Sequence, residues 1–298
     1  MSGALAVSAL VVGTILVAAP VSAATIDSYD SIPVVLPGNV GSVSFQAQAT
    51  SEFGQRVQVS TPGAPLGSVE VGFSTWACET GSWTAGCLTP PGASYVHPIT
   101  VTVYSVVAGA PGAVLATTTE PVTVPFRPSA NPAPLPAGCD VGSTRWRSVA
   151  DNSCYNGMLF TWEFDLSAAG AALPTEVIVG VAFNTNTYGA APIGVTGPYD
   201  SLNVAYGGTV IAGTLPDPDQ VFRNSIAGGR APGFTADTGW SDEGPVMLRL
   251  SFTEPEPAPS LPGTGLTGAQ DAALGGAVLV LLGGLALVTV RRSRATRG

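Results

Sequence analysis

The sequence contains no lysine: all eleven basic residues are arginine, set against twenty acids, for a formal net charge of −9. That absence closes every chemistry built on a lysine amine. Schiff-base catalysis, a GxxxxGK[ST] phosphate loop, polymerisation of a pilus shaft through its own Lys and Lys–Asn isopeptide staples are all excluded. Histidine is nearly as scarce, His97 being the single example, and the four cysteines at 78, 87, 139 and 154 include no CxxC pair. Structural zinc takes four ligands from such spacings, so no metal or other cofactor is expected. Residues with helical periodicity are missing from the middle of the chain, and long uncharged apolar runs occur only near its two ends.

Those two runs read as processing signals. Residues 272–290, AALGGAVLVLLGGLALVTV, are nineteen uncharged residues. As a helix they would span roughly 28 Å, close to a bilayer's hydrocarbon core. Arg291, Arg292, Arg294 and Arg297 follow, which places residues 291–298 on the cytoplasmic side by the positive-inside rule. Near the other end, GALAVSALVVGTILVAAP is a signal-peptide h-region, and the small residues around Ala23 and Ala24 form the expected cleavage site, so that 1–24 is the leader. No Lys or Arg precedes this run, so the usual basic n-region is expected upstream of Met1.

Ahead of the C-terminal run stands LPGTG: Leu261, Pro262, Gly263, Thr264 and Gly265. Pentapeptide, apolar span and arginines in this order resemble the LPxTG cell-wall sorting signal of Gram-positive surface proteins. The resemblance implies that a sortase cysteine attacks the Thr264 carbonyl, expels Gly265 and all that follows, and joins Thr264 to peptidoglycan. Pro262 suits that role, because its ring fixes φ and biases Leu261 to an extended shape. The membrane is then a transient partner and the cell wall the destination; a permanent C-terminal anchor is the competing reading. Abundant Ala, Gly, Pro and Arg without Lys fits a GC-rich, actinobacterial coding sequence.

Between the signals, seven Arg face nineteen acids. Such a surface repels phosphate backbones, so nucleic acid is not an expected partner. Export favours disulfides, and proximity favours Cys78–Cys87 and Cys139–Cys154. Residues 25–253 show period-two patterning: Val43, Phe45 and Ala47; Val69, Val71 and Phe73; Ile99, Val101 and Val103; Phe160, Trp162 and Phe164; Val177, Val179 and Val181. Short alternating strands between Gly/Pro turns predict an all-β fold of antiparallel sheets, a β-sandwich or jelly-roll-like domain. A proline-rich stretch at 125–138 divides it into two halves without repeated motifs, which favours one domain over two. Residues 254–260, EPEPAPS, are a polyproline-II spacer of about 20 Å.

HPITVTVYSV (His97 to Val106), PFRPSA (Pro125 to Ala130), CYNG (Cys154 to Gly157), GVAFNTNTYG (Gly180 to Gly189), GPYDSLNVA (Gly197 to Ala205), PDPDQVF (Pro216 to Phe222) and DTGW (Asp237 to Trp240) occur in that order. Together they resemble a group of exported bacterial proteins that end in LPxTG-type or PEP-type sorting tails. The resemblance implies surface display and no particular chemistry, and the Cys78 to Cys87 segment looks particular to this chain.

Candidate chemistry is sparse. His97 has no nucleophile signature beside it and reads as a structural or surface residue. Glu163 and Asp165 stand two apart on a polar strand face, as glycosidase acids can, but also as solubilising residues do. Asp217, Asp219, Asp200 and Asp237 could offer loop oxygens to calcium, yet Asp beside Pro or Gly is ordinary turn chemistry. Trp76, Trp83, Trp146, Tyr155, Tyr188, Tyr199 and Trp240 fall in or near loops, where they would either stack on sugars or plug the ends of the fold. The expected function is therefore a non-enzymatic, sortase-displayed surface protein, with a carbohydrate-binding module as the alternative and a glycoside hydrolase behind it.

Overall fold

The computed structural model describes residues 24–130, 145–185 and 201–254. The leader with Ala23, the LPGTG motif, the apolar span, the arginine tail, most of the 254–260 spacer, Cys139, Tyr188, Tyr199 and Asp200 lie outside them. Strands β1 (Thr25–Asp30), β2 (Ser42–Ser44), β3 (Thr50–Gln58), β4 (Ser68–Thr75), β5 (Thr80–Ser82), β6 (Ala85–Leu88), β7 (Ser94–Val107) and β8 (Ala110–Pro125) come first. Then follow β9 (Trp146–Arg147), β10 (Cys154–Tyr155), β11 (Met158–Asp165), β12 (Glu176–Ala182), β13 (Leu202–Ala205), β14 (Gln220–Ser225), β15 (Thr235–Thr238) and β16 (Leu248–Thr253). Two three-residue 3-10 turns, at Ser167–Ala169 and Ala227–Gly229, are the described helical segments.

Every ladder is antiparallel, as the alternating pattern predicts. One six-stranded sheet runs β1-β16-β4-β13-β2, with β11 on the free side of β4; the other runs β15-β14-β3-β12-β7-β8. Strands from before residue 125 pair with strands from after 138 in both sheets: β4 with β11, β3 and β7 with β12, β1 with β16. The polypeptide from Ala24 to Glu254 is one compact unit.

Period two decides which residues enter the core. On the first sheet Val69, Val71 and Phe73 stand opposite Phe164, Trp162 and Phe160 of β11. On the second, Val177, Val179 and Val181 share a face with Val101 and Val103 and with Phe53 and Val57. These inward faces join one buried cluster, so the arrangement is sandwich-like. Each fully buried Val, Leu or Phe contributes about 1.5–3 kcal/mol of transfer free energy. Leu159, on the opposite face of β11, is buried separately against Ile32, Ala205 and Met247.

Two local features depart from simple alternation. The SVSFQAQA segment is a strand only over Ser42–Ser44; it then turns tightly, with Ala49 at φ 48°, and Ala47 is exposed rather than inward. On the outer face of the second sheet Gly54 stands opposite Gly180. A Cβ at Gly54 would overlap the Val179 carbonyl, and one at Gly180 would meet the Glu52 carboxylate and lie 3.1 Å from the Phe234 ring. The gap lets Phe234 pack on Tyr104 and Phe222, while Tyr104 donates its hydroxyl to Glu52 at 2.9 Å. Burial raises the Glu52 carboxyl above its usual range, although the Tyr104 hydrogen bond opposes this.

Candidate functional site

A concavity lies where β4 ends. Beyond Thr75 the chain continues through Trp76 to Cys78, and β5 and β6 form a hairpin closed at its base by the Cys78–Cys87 disulfide. The sequence places Trp83 and Thr84 in its two-residue turn, so an indole projects from the tip of a cross-linked ribbon. Trp76 and Trp83 meet edge to face, with centroids 5.1 Å apart and planes at 85°. Beside this pair lies a cleft of about 1000 Å³. Its aromatic walls are Trp76, Trp83 and Phe126, and its polar wall carries Ser42, Ser44 and Asn203 from the β2–β13 edge of the first sheet. Glu79 is the one ionisable side chain among the described lining residues.

The cleft is held from behind. Trp76 donates its indole N–H to Ser74 Oγ at 3.0 Å, and Ser74 donates to Asn39 Oδ1 at 2.7 Å. Gly157 is required next to this indole, since a Cβ there would overlap both the Trp76 ring and Ser74 Oγ. Arg127, from the PFRPSA segment, is wholly buried. It donates through Nε to Cys87 Sγ at 3.3 Å and through a terminal nitrogen to the Asn156 carbonyl, while its own N–H bonds the Ala77 carbonyl at 2.9 Å. Burial lowers the guanidinium to about 10, which leaves it charged at neutral pH. One buried cation thus fastens the hairpin, the start of the proline-rich connection and the CYNG turn together.

The remaining aromatics close the fold. Trp146 is buried, donates to the Gly157 carbonyl at 2.6 Å and packs on Tyr155. Trp162 donates to Glu120 Oε2 at 3.1 Å. Trp240 packs between Phe53 and Tyr206, with the Arg223 guanidinium 5.8 Å from its ring centre. Among the described loop tryptophans, Trp76 and Trp83 are the two that line the open cleft. The signal available in the sequence was TWACETGSW itself: two Trp near a cysteine whose partner follows within ten residues.

His97 is a structural residue. It is buried on β7, its Nε2 lies 3.1 Å from the Asn184 carbonyl oxygen, and its ring meets Phe183 edge-on. Burial drives its pKa down to about 4, the Asn184 contact opposing. Glu163 and Asp165 are both exposed on β11, beside a shallow groove of about 410 Å³. Hydrogen bonds from Ser167 hold the Asp165 carboxyl below its ordinary value, the opposite of what a glycosidase's general acid needs.

The loop aspartates do turn chemistry. Asp217 Oδ1 accepts the Asp219 N–H at 3.2 Å, and Asp219 Oδ1 accepts the N–H groups of Gly239, Trp240 and Ser241 at 3.1–3.3 Å. Asp237 pairs with Arg223 at 3.1 Å and Arg230 at 2.7 Å. Among the described residues no group of three or more His, Cys, Asp or Glu side chains is placed to hold a metal ion. The Cys78–Cys87 disulfide is present, as proximity predicted, and no described cysteine is free; the second expected pair has Cys139 outside the described residues.

One contact concerns both ends of the unit. The Glu254 N–H donates to the Ala24 carbonyl at 2.9 Å, continuing the β1–β16 ladder. The chain therefore enters and leaves the fold at one point. Against known proteins, no family model, no curated protein and no solved structure matches this chain.

Proposed function

We propose that this is a sortase-anchored cell-wall surface protein of a Gram-positive cell. In this reading a non-enzymatic, jelly-roll-like β-sandwich is displayed for adhesion or envelope contact. The observation that carries the proposal is the order LPGTG, uncharged span, arginines at 261–297. Two features of the fold support it. The unit closes on itself at Ala24 and Glu254, immediately beside the expected leader cleavage and the start of the tail, so trimming at both ends leaves every described strand in place. The Cys78–Cys87 disulfide suits an oxidising, extracellular compartment.

The test is expression of wild type and Thr264→Ala in an LPxTG-sorting Gram-positive host, followed by wall fractionation and mass spectrometry. Wild type is expected joined through Thr264 to peptidoglycan fragments, and the variant is expected to remain in the membrane or be shed. Full-length wild type in the membrane fraction would mean that the tail is a permanent anchor. The alternative function, carbohydrate binding, is favoured by one specific observation, the open Trp76–Trp83 corner.

A further inference from the structure

We propose that the cleft lined by the touching Trp76–Trp83 pair binds a neutral oligosaccharide. The inference deepens the carbohydrate-binding alternative and does not rest on the anchored-display reading.

The lining selects the ligand class. A sugar ring offers a C–H face that packs on an indole and an equatorial belt of hydroxyls that wants small polar partners. Here two perpendicular indoles make a corner, and the facing wall supplies hydroxyls from Ser42 and Ser44 and an amide from Asn203. Asn203 Nδ2 already donates to Ser42 Oγ at 3.0 Å, which orients both groups before a ligand arrives. Among the described lining residues there is no arginine and Glu79 is the only ionisable group, and the whole chain is acidic. An anionic glycan or a phosphate would meet no counter-charge there. A proline-rich peptide, the other ligand that aromatic grooves take, would leave the hydroxyl and amide wall unused. At about 1000 Å³ the site is at the upper end of ligand-sized pockets, suited to several linked rings rather than one.

The hairpin is also prepared in advance. Trp83 is 42% exposed, yet the residues that carry it are closed by the disulfide and fastened to buried Arg127. Ordering a loop on binding costs affinity, and a cross-link removes much of that cost beforehand. An exposed indole kept on a rigid mount contributes nothing to the core and everything to a surface that stacks.

Ser251 of β16, three residues before Glu254, pairs with Ser68 at the first residue of β4, whereas Trp76 follows the last residue of β4. At about 3.3 Å per residue the cleft lies more than about 20 Å along the sheet from the point where the tail departs.

The experiment titrates the full chain, produced in a host without sortase and purified in a polyoxyethylene detergent that carries no sugar. Cellohexaose, maltohexaose, mannohexaose and the hexamer of N-acetylglucosamine are added while tryptophan emission and heat are recorded. At least one is expected to bind saturably below about 1 mM, and Trp83→Ala is expected to weaken it at least about tenfold, the size of an aromatic hot spot. Trp83→Phe should keep most of the affinity, and near-UV circular dichroism checks that both variants are folded. A heparin hexasaccharide and the peptide EPEPAPS should not bind. The proposal is overturned if none of the four saccharides saturates by about 10 mM, if Trp83→Ala binds as wild type does, or if the peptide alone binds. The titration involves no wall linkage, so its failure would leave the anchoring reading intact, and failure of the Thr264 test would leave the cleft intact.

Discussion

The corner around Trp240 and the corner around Trp83 use the same residue type to opposite ends. At Trp240 every polar group is taken: the indole N–H reaches Asp237 Oδ2 at 3.3 Å, and the backbone N–H reaches Asp219. Phe53 and Tyr206 cover its ring. At Trp83 the ring meets Trp76 and lines the cleft. The difference teaches that a loop tryptophan becomes a plug or a platform according to what surrounds it. The Trp240 side has Arg223 of β14 over its ring and Asp237 of β15 at its N–H, with Arg230 pairing with Asp237 and Asp219 accepting the Trp240 backbone N–H. The Trp83 side has a disulfide-closed ribbon that holds the ring away from the core.

Removing Asp237 should break the closed corner and give the largest effect. Asp237→Ala leaves Arg223 and Arg230 without their carboxylate and the Trp240 N–H without its acceptor. A loss of about 3 kcal/mol in urea unfolding is expected, because partly buried cations are stranded. A loss under about 1 kcal/mol would mean that the corner is held by ring packing alone.

A second effect arises on the open side, behind the cleft. Phe45, flanked by the cleft residues Ser44 and Gln46, stacks on Phe183, whose ring His97 meets edge-on. In the folded state His97 titrates near 4, against about 6.5 when unfolded, so between these values the unfolded chain binds the extra proton. Stability contributed by keeping His97 neutral is therefore fully present above about pH 6.5 and falls as pH drops toward 4. Going from pH 7 to pH 4.5 should cost about 2–3 kcal/mol through this residue. The check is the difference in pH slope between wild type and His97→Gln; equal slopes would show that His97 does not carry the loss.

The smallest expected change belongs to the platform itself. Trp83→Ala should alter unfolding stability by no more than about 0.5 kcal/mol, as exposed substitutions do, while removing the saccharide response. A large stability loss would place Trp83 with Trp240 as a plug and erase the contrast.

Much of the fold was legible in the residues. The alternation through Val69, Val71 and Phe73, or Val177, Val179 and Val181, appears in the structure as inward faces of antiparallel strands, because side-chain direction in a strand is local geometry. The strand assigned through Ala47 stops at Ser44, because residues 45–49 form a tight turn in which the Gln48 N–H bonds the Ser44 carbonyl, the Thr50 N–H bonds the Phe45 carbonyl and Ala49 is left-handed. The site was less legible. Glu163 and Asp165 looked paired in sequence and stand exposed beside a shallow groove, whereas Trp76 and Trp83 looked like two more loop aromatics and share a cleft.

By itself, then, the sequence determined the all-β class and most of the inward faces, and proximity favoured the Cys78–Cys87 pairing, all of which depend on near neighbours along the chain. The tertiary structure alone decided that Ala24 meets Glu254, that Arg127 is buried beneath Cys87, and that Ser42 and Asn203 face Trp76. Those contacts join residues from about 30 to more than 200 positions apart, and only closure of the two sheets around a common core brings them together.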